Sequence, residues 1–124
     1  MMTLWQFRIL KYVSDPIRNE PVNIGILLCE AGKLVDTVSV QVTANWHRVL
    51  CIDPHADTQL LSGLERHLRA LFATSDKTFS ELGQELEQQF NNAIQVSDEK
   101  AVQGEDAIAT LNRLMAMFVD PPKP

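Results

Sequence analysis

The chain has 124 residues, 45% of them apolar and 22% charged, with a net charge of −5. That length suits one compact domain able to bury a core without disulfide staples, and the composition speaks against both a disordered chain and a membrane span. Residues 1–50 carry five basic and four acidic side chains, against six and twelve in residues 51–124, so the second half repels phosphate and broad nucleic-acid binding is disfavoured.

The amino terminus, Met1-Met2-Thr3-Leu4, leads into a mixed strand rather than a basic-then-apolar signal, and no apolar run approaches bilayer length. Cys29 and Cys51 lie outside any C-x-x-C pattern. Their usage fits a reducing compartment, with both expected as buried thiols, and the cytoplasm is the expected location.

In "LWQFRILKYV" the apolar residues Trp5, Phe7, Ile9 and Val13 alternate with Gln6 and Arg8, which predicts a strand over 4–13; Lys11 breaks the alternation. "VNIGILLCE" puts Val22, Ile24, Ile26 and Leu28 on one face and Leu27 and Cys29 on the other. It is the best candidate for a central strand, over 22–30. Gly32 can supply a positive φ in the next connection, and Val38, Val40 and Val42 alternate with Thr37, Ser39 and Gln41 in a third strand over 34–42.

The apolar period then changes to that of helices. A short helix is predicted over 44–50 with Trp46, Val49 and Leu50 on one side, ended before Pro54. A long one over 57–73 follows, N-capped by Asp57, with Leu60, Leu61, Leu64, Leu68, Leu71 and Phe72 at helical spacing. A third over 78–91 uses Phe79, Leu82, Leu86 and Phe90 and ends at Asn91-Asn92. A weaker strand over 93–98 precedes a last helix over 105–119, with Glu105 and Asp106 at its positive end and Ile108, Leu111, Leu114, Met115 and Phe118 on its apolar side. Strands first and helices afterward indicate a single α+β domain: a mainly antiparallel sheet, a three-stranded meander plus a fourth candidate strand, with helices packed on one face. Gln6, Arg8, Thr37, Ser39 and Gln41 are expected on the other face, solvated or covered by a partner.

The polar connection between the first two strands is the candidate site. Pro16 and Pro21 remove backbone donors there, and the side chains of Asp15, Arg18, Glu20 and Asn23 offer another way to order the segment: Asp15 by accepting backbone N–H bonds in an Asx-turn, Arg18 by bridging Asp15 and Glu20, Asn23 by bonding across the base. Gly25 permits a bulge or a close backbone approach. A self-bracing loop on a rigid sheet is also a natural contact surface. Catalysis by Asp15 and Glu20 as an acid–base pair is disfavoured, because Arg18 lowers both carboxyl pKa values when one must rise.

Other constellations carry less. Cys51, Asp53, His55 and Asp57 alternate in "CIDPHAD", but Pro54 and the helix start assign them to turn and cap roles, and no metal or cofactor is expected. His47 and His67 are read as surface or boundary residues in helical patterns, without a companion ligand at the i+4 position. Trp5 and Trp46 are expected as core anchors, and Glu81, Glu85, Glu87, Asp98 and Glu99 as a solvated acidic face. No phosphate-binding glycine loop or nucleophile elbow is present, which lowers the expectation of an enzyme.

The stretch "FRILKYVSDPIRNEPVNIGILL" resembles the opening signature of the bacterial family catalogued as domain of unknown function 3037, at Phe7, Lys11, Tyr12, Asp15, Arg18, Glu20, Asn23 and Gly25. The likeness continues more weakly through the helix from Leu60 and the Leu111-Leu114-Val119 pattern. Asn19 stands where the family usually has Gly, and Ser14 where it often has Pro. The resemblance implies no established activity and hints at a partner among toxin-type kinases. The sequence therefore leads to a small cytosolic interaction or accessory module with a protein partner. The alternatives are a metal-dependent hydrolase or nuclease using Asp15 and Glu20 beside Arg18, and a phage-type inhibitor whose acidic helices mimic nucleic acid.

Overall fold

The computed structural model describes residues 2–13, 21–32, 38–74, 78–79, 81, 85–86 and 94–120. Five strands, β1 (Thr3–Val13), β2 (Pro21–Glu30), β3 (Ser39–Val42), β4 (Ile94–Val96) and β5 (Lys100–Gly104), form one antiparallel sheet. Among the described residues these helices accompany it: α1 (His47–Ile52), α2 (Thr58–Ser62), α3 (Leu64–Ala73) and α4 (Ala107–Phe118). The sheet order is β3-β2-β1, with β4 and β5 sharing the far edge of β1. The fold is α+β, as the alternation followed by helical spacing predicts. Most of the helix predicted over 78–91 and the first part of the strand over 34–42 lie outside the described residues.

Side chains of residues directly opposed across strands point to the same face, so the register divides the core. Phe7 opposes Leu28 and Ile9 opposes Ile26 on one face; Arg8 opposes Leu27, which opposes Val40, on the other. Leu10, Leu27, Cys29 and Val40 pack with Val49 of α1, Leu61 of α2 and Leu64, Leu68 and Phe72 of α3. Phe7, Ile9, Ile26 and Leu28 pack with Leu111, Leu114 and Met115 of α4, and Phe7 stacks at a tilt on Phe118 at 5.7 Å. Helices thus cover both faces, not one. A 12-residue helix is marginal alone in water, and burying three large side chains at roughly 1.5–3 kcal/mol each is what holds α4 in place. The expected solvated face does not exist as grouped: Ser39 and Gln41 lie on the α4 side, and Arg8 lies on the side of α1–α3.

Local signals explain most element ends. Asp57 and Asp106 cap α2 and α4, their carboxylates accepting from Leu60 N at 3.0 Å and Ala109 N at 2.7 Å. Gly63 separates α2 from α3 where one continuous helix is expected. Gly32 takes φ 85° in the turn after β2. Leu60 and Ile108, counted above in the apolar stripes, stand 66% and 76% exposed instead.

Two irregularities shape β1. Its register with β2 shifts between Leu10 and Lys11, leaving Ile24 as an extra residue on β2 beside Gly25. On the other side, Ser97, Asp98 and Glu99 stand opposite only Arg8 and Ile9, a bulge closed by Ser97 Oγ accepting from Ile9 N at 2.9 Å. Both outer edges of the sheet carry side chains on their backbone groups. Glu65 accepts from Val42 N at 2.9 Å, Arg69 donates to Val40 O at 3.1 Å, and Arg113 donates to Gln103 O at 2.7 Å, which obstructs pairing with a further strand.

Candidate binding surface at the base of the Val13–Pro21 connection

Asp15, Arg18 and Glu20 lie outside the described residues, so the geometry on view is that of the two strand ends that carry them. Pro21 opposes Val13, Val22 opposes Tyr12 and Asn23 opposes Lys11. Tyr12 and Asn23 reach opposite faces of the sheet, and each finds a polar anchor there.

On one face the Tyr12 hydroxyl donates to Asp53 Oδ2 at 2.7 Å. Asp53 ends α1, its own N–H returning to Val49 O at 2.8 Å while Oδ1 accepts from His55 N at 3.2 Å. The turn role expected for "CIDPHAD" is what the structure has, and β1 is pinned to it. On the other face Asn23 Nδ2 donates to Phe118 O at 3.0 Å. The last carbonyls of a helix lack intrahelical donors, so this bond satisfies a group that would otherwise need water.

The same helix end gathers two more clamps. Arg48 of α1 donates to Val119 O at 2.8 Å, placing a cation at the negative end of α4, and Thr43 Oγ1 donates to Asp120 Oδ1 at 2.7 Å. Thr43 N in turn donates to Ile24 O at 2.7 Å beside the bulge. Strands β1 and β2, the segment after β3, α1 and α4 therefore converge on one end of the sheet, where the connection leaves it. Asn23, expected to bond across the base of the connection, instead donates to a helix end. Thr43, Arg48 and Asp120 were not singled out from sequence, since their partners are 71 or more positions away.

Chemically this cluster is a frame. Burial, then the hydrogen bond to Asp53 and the charge of that carboxylate, push the Tyr12 phenol from 10.0 up to about 12, so it remains a neutral donor throughout the physiological range. Tyr12 is the chain's one tyrosine, so an ultraviolet alkaline titration of the native protein is expected to show a midpoint near 12, and Asp53→Asn to lower it. A native midpoint near 10 would contradict the contact. The linkage follows: the folded state holds this proton more tightly, so the associated stability is fully present below pH 10 and is lost as pH rises through about 12.

Elsewhere the structure redistributes the other residues considered. Among the described residues no three His, Cys, Asp or Glu side chains converge as a metal-binding group. Trp5 and Trp46 are half-buried, donating to Gly104 O at 3.1 Å and Ser62 Oγ at 3.2 Å. Cys29 is buried as expected, whereas Cys51 is exposed. Glu99, assigned above to a solvated face, faces the buried Arg8 guanidinium at 3.6 Å. His47 has a companion four residues on: Cys51 Sγ lies 3.7 Å from its Nε2, a pair that the i, i+4 spacing alone could have revealed.

An antiparallel sheet with helices on both faces and a polar frame at one end defines a small α+β scaffold. A family model described as "Protein of unknown function (DUF3037)" matches residues 7–119, and the chain belongs to that family. No curated protein and no solved structure matches it. Of the family-signature residues, Tyr12 and Asn23 serve the frame and Gly25 serves a close strand approach. Among the described residues no helix is long and apolar enough to cross a membrane.

Proposed function

We propose that this chain is a protein-interaction or accessory module of the cytoplasm, which offers another protein the segment between β1 and β2 through Asp15, Arg18, Glu20 and Asn23. The observation that carries the reading is the frame at the sheet end, where Tyr12–Asp53 and Asn23–Phe118 pin both strand ends on opposite faces. Binding residues work best when carried by rigid elements, because less ordering entropy is then lost on association. A guanidinium such as that of Arg18 supplies a planar, directional contact that a partner's carboxylate can read.

The test is affinity capture with the immobilised wild-type chain and its Arg18→Ala variant, offering lysate of the source cell and, separately, a toxin-type kinase. A partner retained by wild type and lost from Arg18→Ala, with both chains equally folded by circular dichroism, is the expected result. Equal retention by both would remove the segment from the contact.

A further inference from the structure

Helix α1 carries His47 and Cys51 one turn apart on its exposed side. Side chains at i and i+4 lie above one another on a helix, so the pair is brought together by local geometry alone. A thiolate and an imidazole are preferred donors for zinc and related soft divalent ions, with bond lengths of about 2.3 Å to sulfur and about 2.0–2.1 Å to nitrogen. At the tetrahedral angle those lengths put the two donors about 3.6 Å apart. The Sγ to Nε2 separation is 3.7 Å, so both can reach a single ion with little adjustment.

We propose that His47 Nε2 and Cys51 Sγ form a bidentate chelate for a soft divalent metal ion of the zinc class. Binding exchanges the thiol proton for the metal and releases that proton to solvent. Neighbouring carboxylates do not complete a closed site: Asp53 is held by Tyr12 and by His55 N, Asp57 caps α2, and among the described residues no third His, Cys, Asp or Glu converges. Two of the four tetrahedral positions are then left to water or to an exogenous ligand, so the site is open rather than closed by four protein ligands as a structural zinc site is.

The experiment titrates the full, reduced chain with cadmium, read by the ultraviolet thiolate-to-metal charge-transfer band, with zinc added afterward as competitor. Cys29 is wholly buried, so the band reports Cys51. One ion per chain is expected, displaced by zinc. Cys51→Ser should abolish the band, His55→Gln should change nothing, and His47→Gln should weaken binding on the order of a hundredfold, as expected when one of two linked ligands is removed. Wild-type affinity in His47→Gln would reduce the site to a lone thiol and overturn the chelate, as would undiminished binding in Cys51→Ser. One ion per two chains would overturn the open site. All three substituted residues are exposed, and unchanged metal-free melting of each variant confirms that the fold is intact.

Discussion

Replacing Arg8 by alanine is expected to lower the unfolding free energy by about 3 kcal/mol, roughly 10 °C in melting temperature for a domain of this size. Arg8 is 8% exposed in the middle of β1. Its Nε donates to Phe79 O at 3.2 Å and its Nη1 to Ser97 O at 2.7 Å, while the guanidinium lies 5.5 Å from the centre of the Phe79 ring and 3.6 Å from Glu99. Alanine strands two carbonyls, withdraws the cation from Glu99 and opens a cavity beside Phe79, and each of the first losses alone costs about 1–3 kcal/mol when the group stays buried. Glu99 is partly exposed, so water eases the loss of the Arg8 charge beside it, and this loss adds least. Arg8→Lys keeps the charge but lacks the planar fork that reaches both carbonyls, and should fall between wild type and alanine. Urea unfolding of the three chains measures the order. An alanine variant within 1 kcal/mol of wild type would mean that the guanidinium does not hold the β4–β5 bulge.

Gly25→Ala is the second large effect, expected at about 2–3 kcal/mol destabilising. A methyl group there would meet Gln41 O at 2.6 Å, Val42 Cα at 3.2 Å and Leu10 Cδ1 at 3.1 Å. Two of those atoms are backbone, so relief requires β2 and β3 to move apart rather than a side chain to rotate. The same substitution at Gly63, where φ is −86° and the nearest atoms are 3.7 Å away, should be neutral or stabilise by about 0.4–1 kcal/mol, because it only restricts the unfolded chain. Opposite signs for one chemical change isolate the close strand approach as the cause. Equal effects at both positions would contradict it.

How much of this is legible in the sequence depends on how local the cause is. The alternation in β1 and β2, the aspartate caps at Asp57 and Asp106 and the positive φ at Gly32 are set by neighbours in the chain, and each is readable there; Gly25 shows only that a close approach is permitted, since Gln41 and Val42 of β3 make it. The second helical layer is signalled too, by Leu27 and Cys29 on the face opposite Ile26 and Leu28, since a strand apolar on both faces needs cover on both. Strand β5 leaves little trace because it is an edge: of its residues only Gly104 is buried and Val102 half-buried, so no apolar alternation marks it. Arg8 reads as solvent-facing because the groups that satisfy it come from Phe79 and Ser97, 71 and 89 positions away. For the candidate site, Asn23 is visible as a polar residue entering an apolar strand, but its partner at the far end of the chain is a tertiary fact.

Hydrogen exchange of the backbone amides at the strand ends tests the frame most directly. If Tyr12–Asp53 and Asn23–Phe118 fix the two ends, the Tyr12 and Val22 amides should exchange in the wild-type chain nearly as slowly as those of Ile9 and Leu27 in the sheet centre. In Asn23→Ala they should speed up while the centre stays protected. Rapid exchange at Tyr12 and Val22 in the wild-type chain would show strand ends that open freely, and a binding segment held in place by them would have to be abandoned.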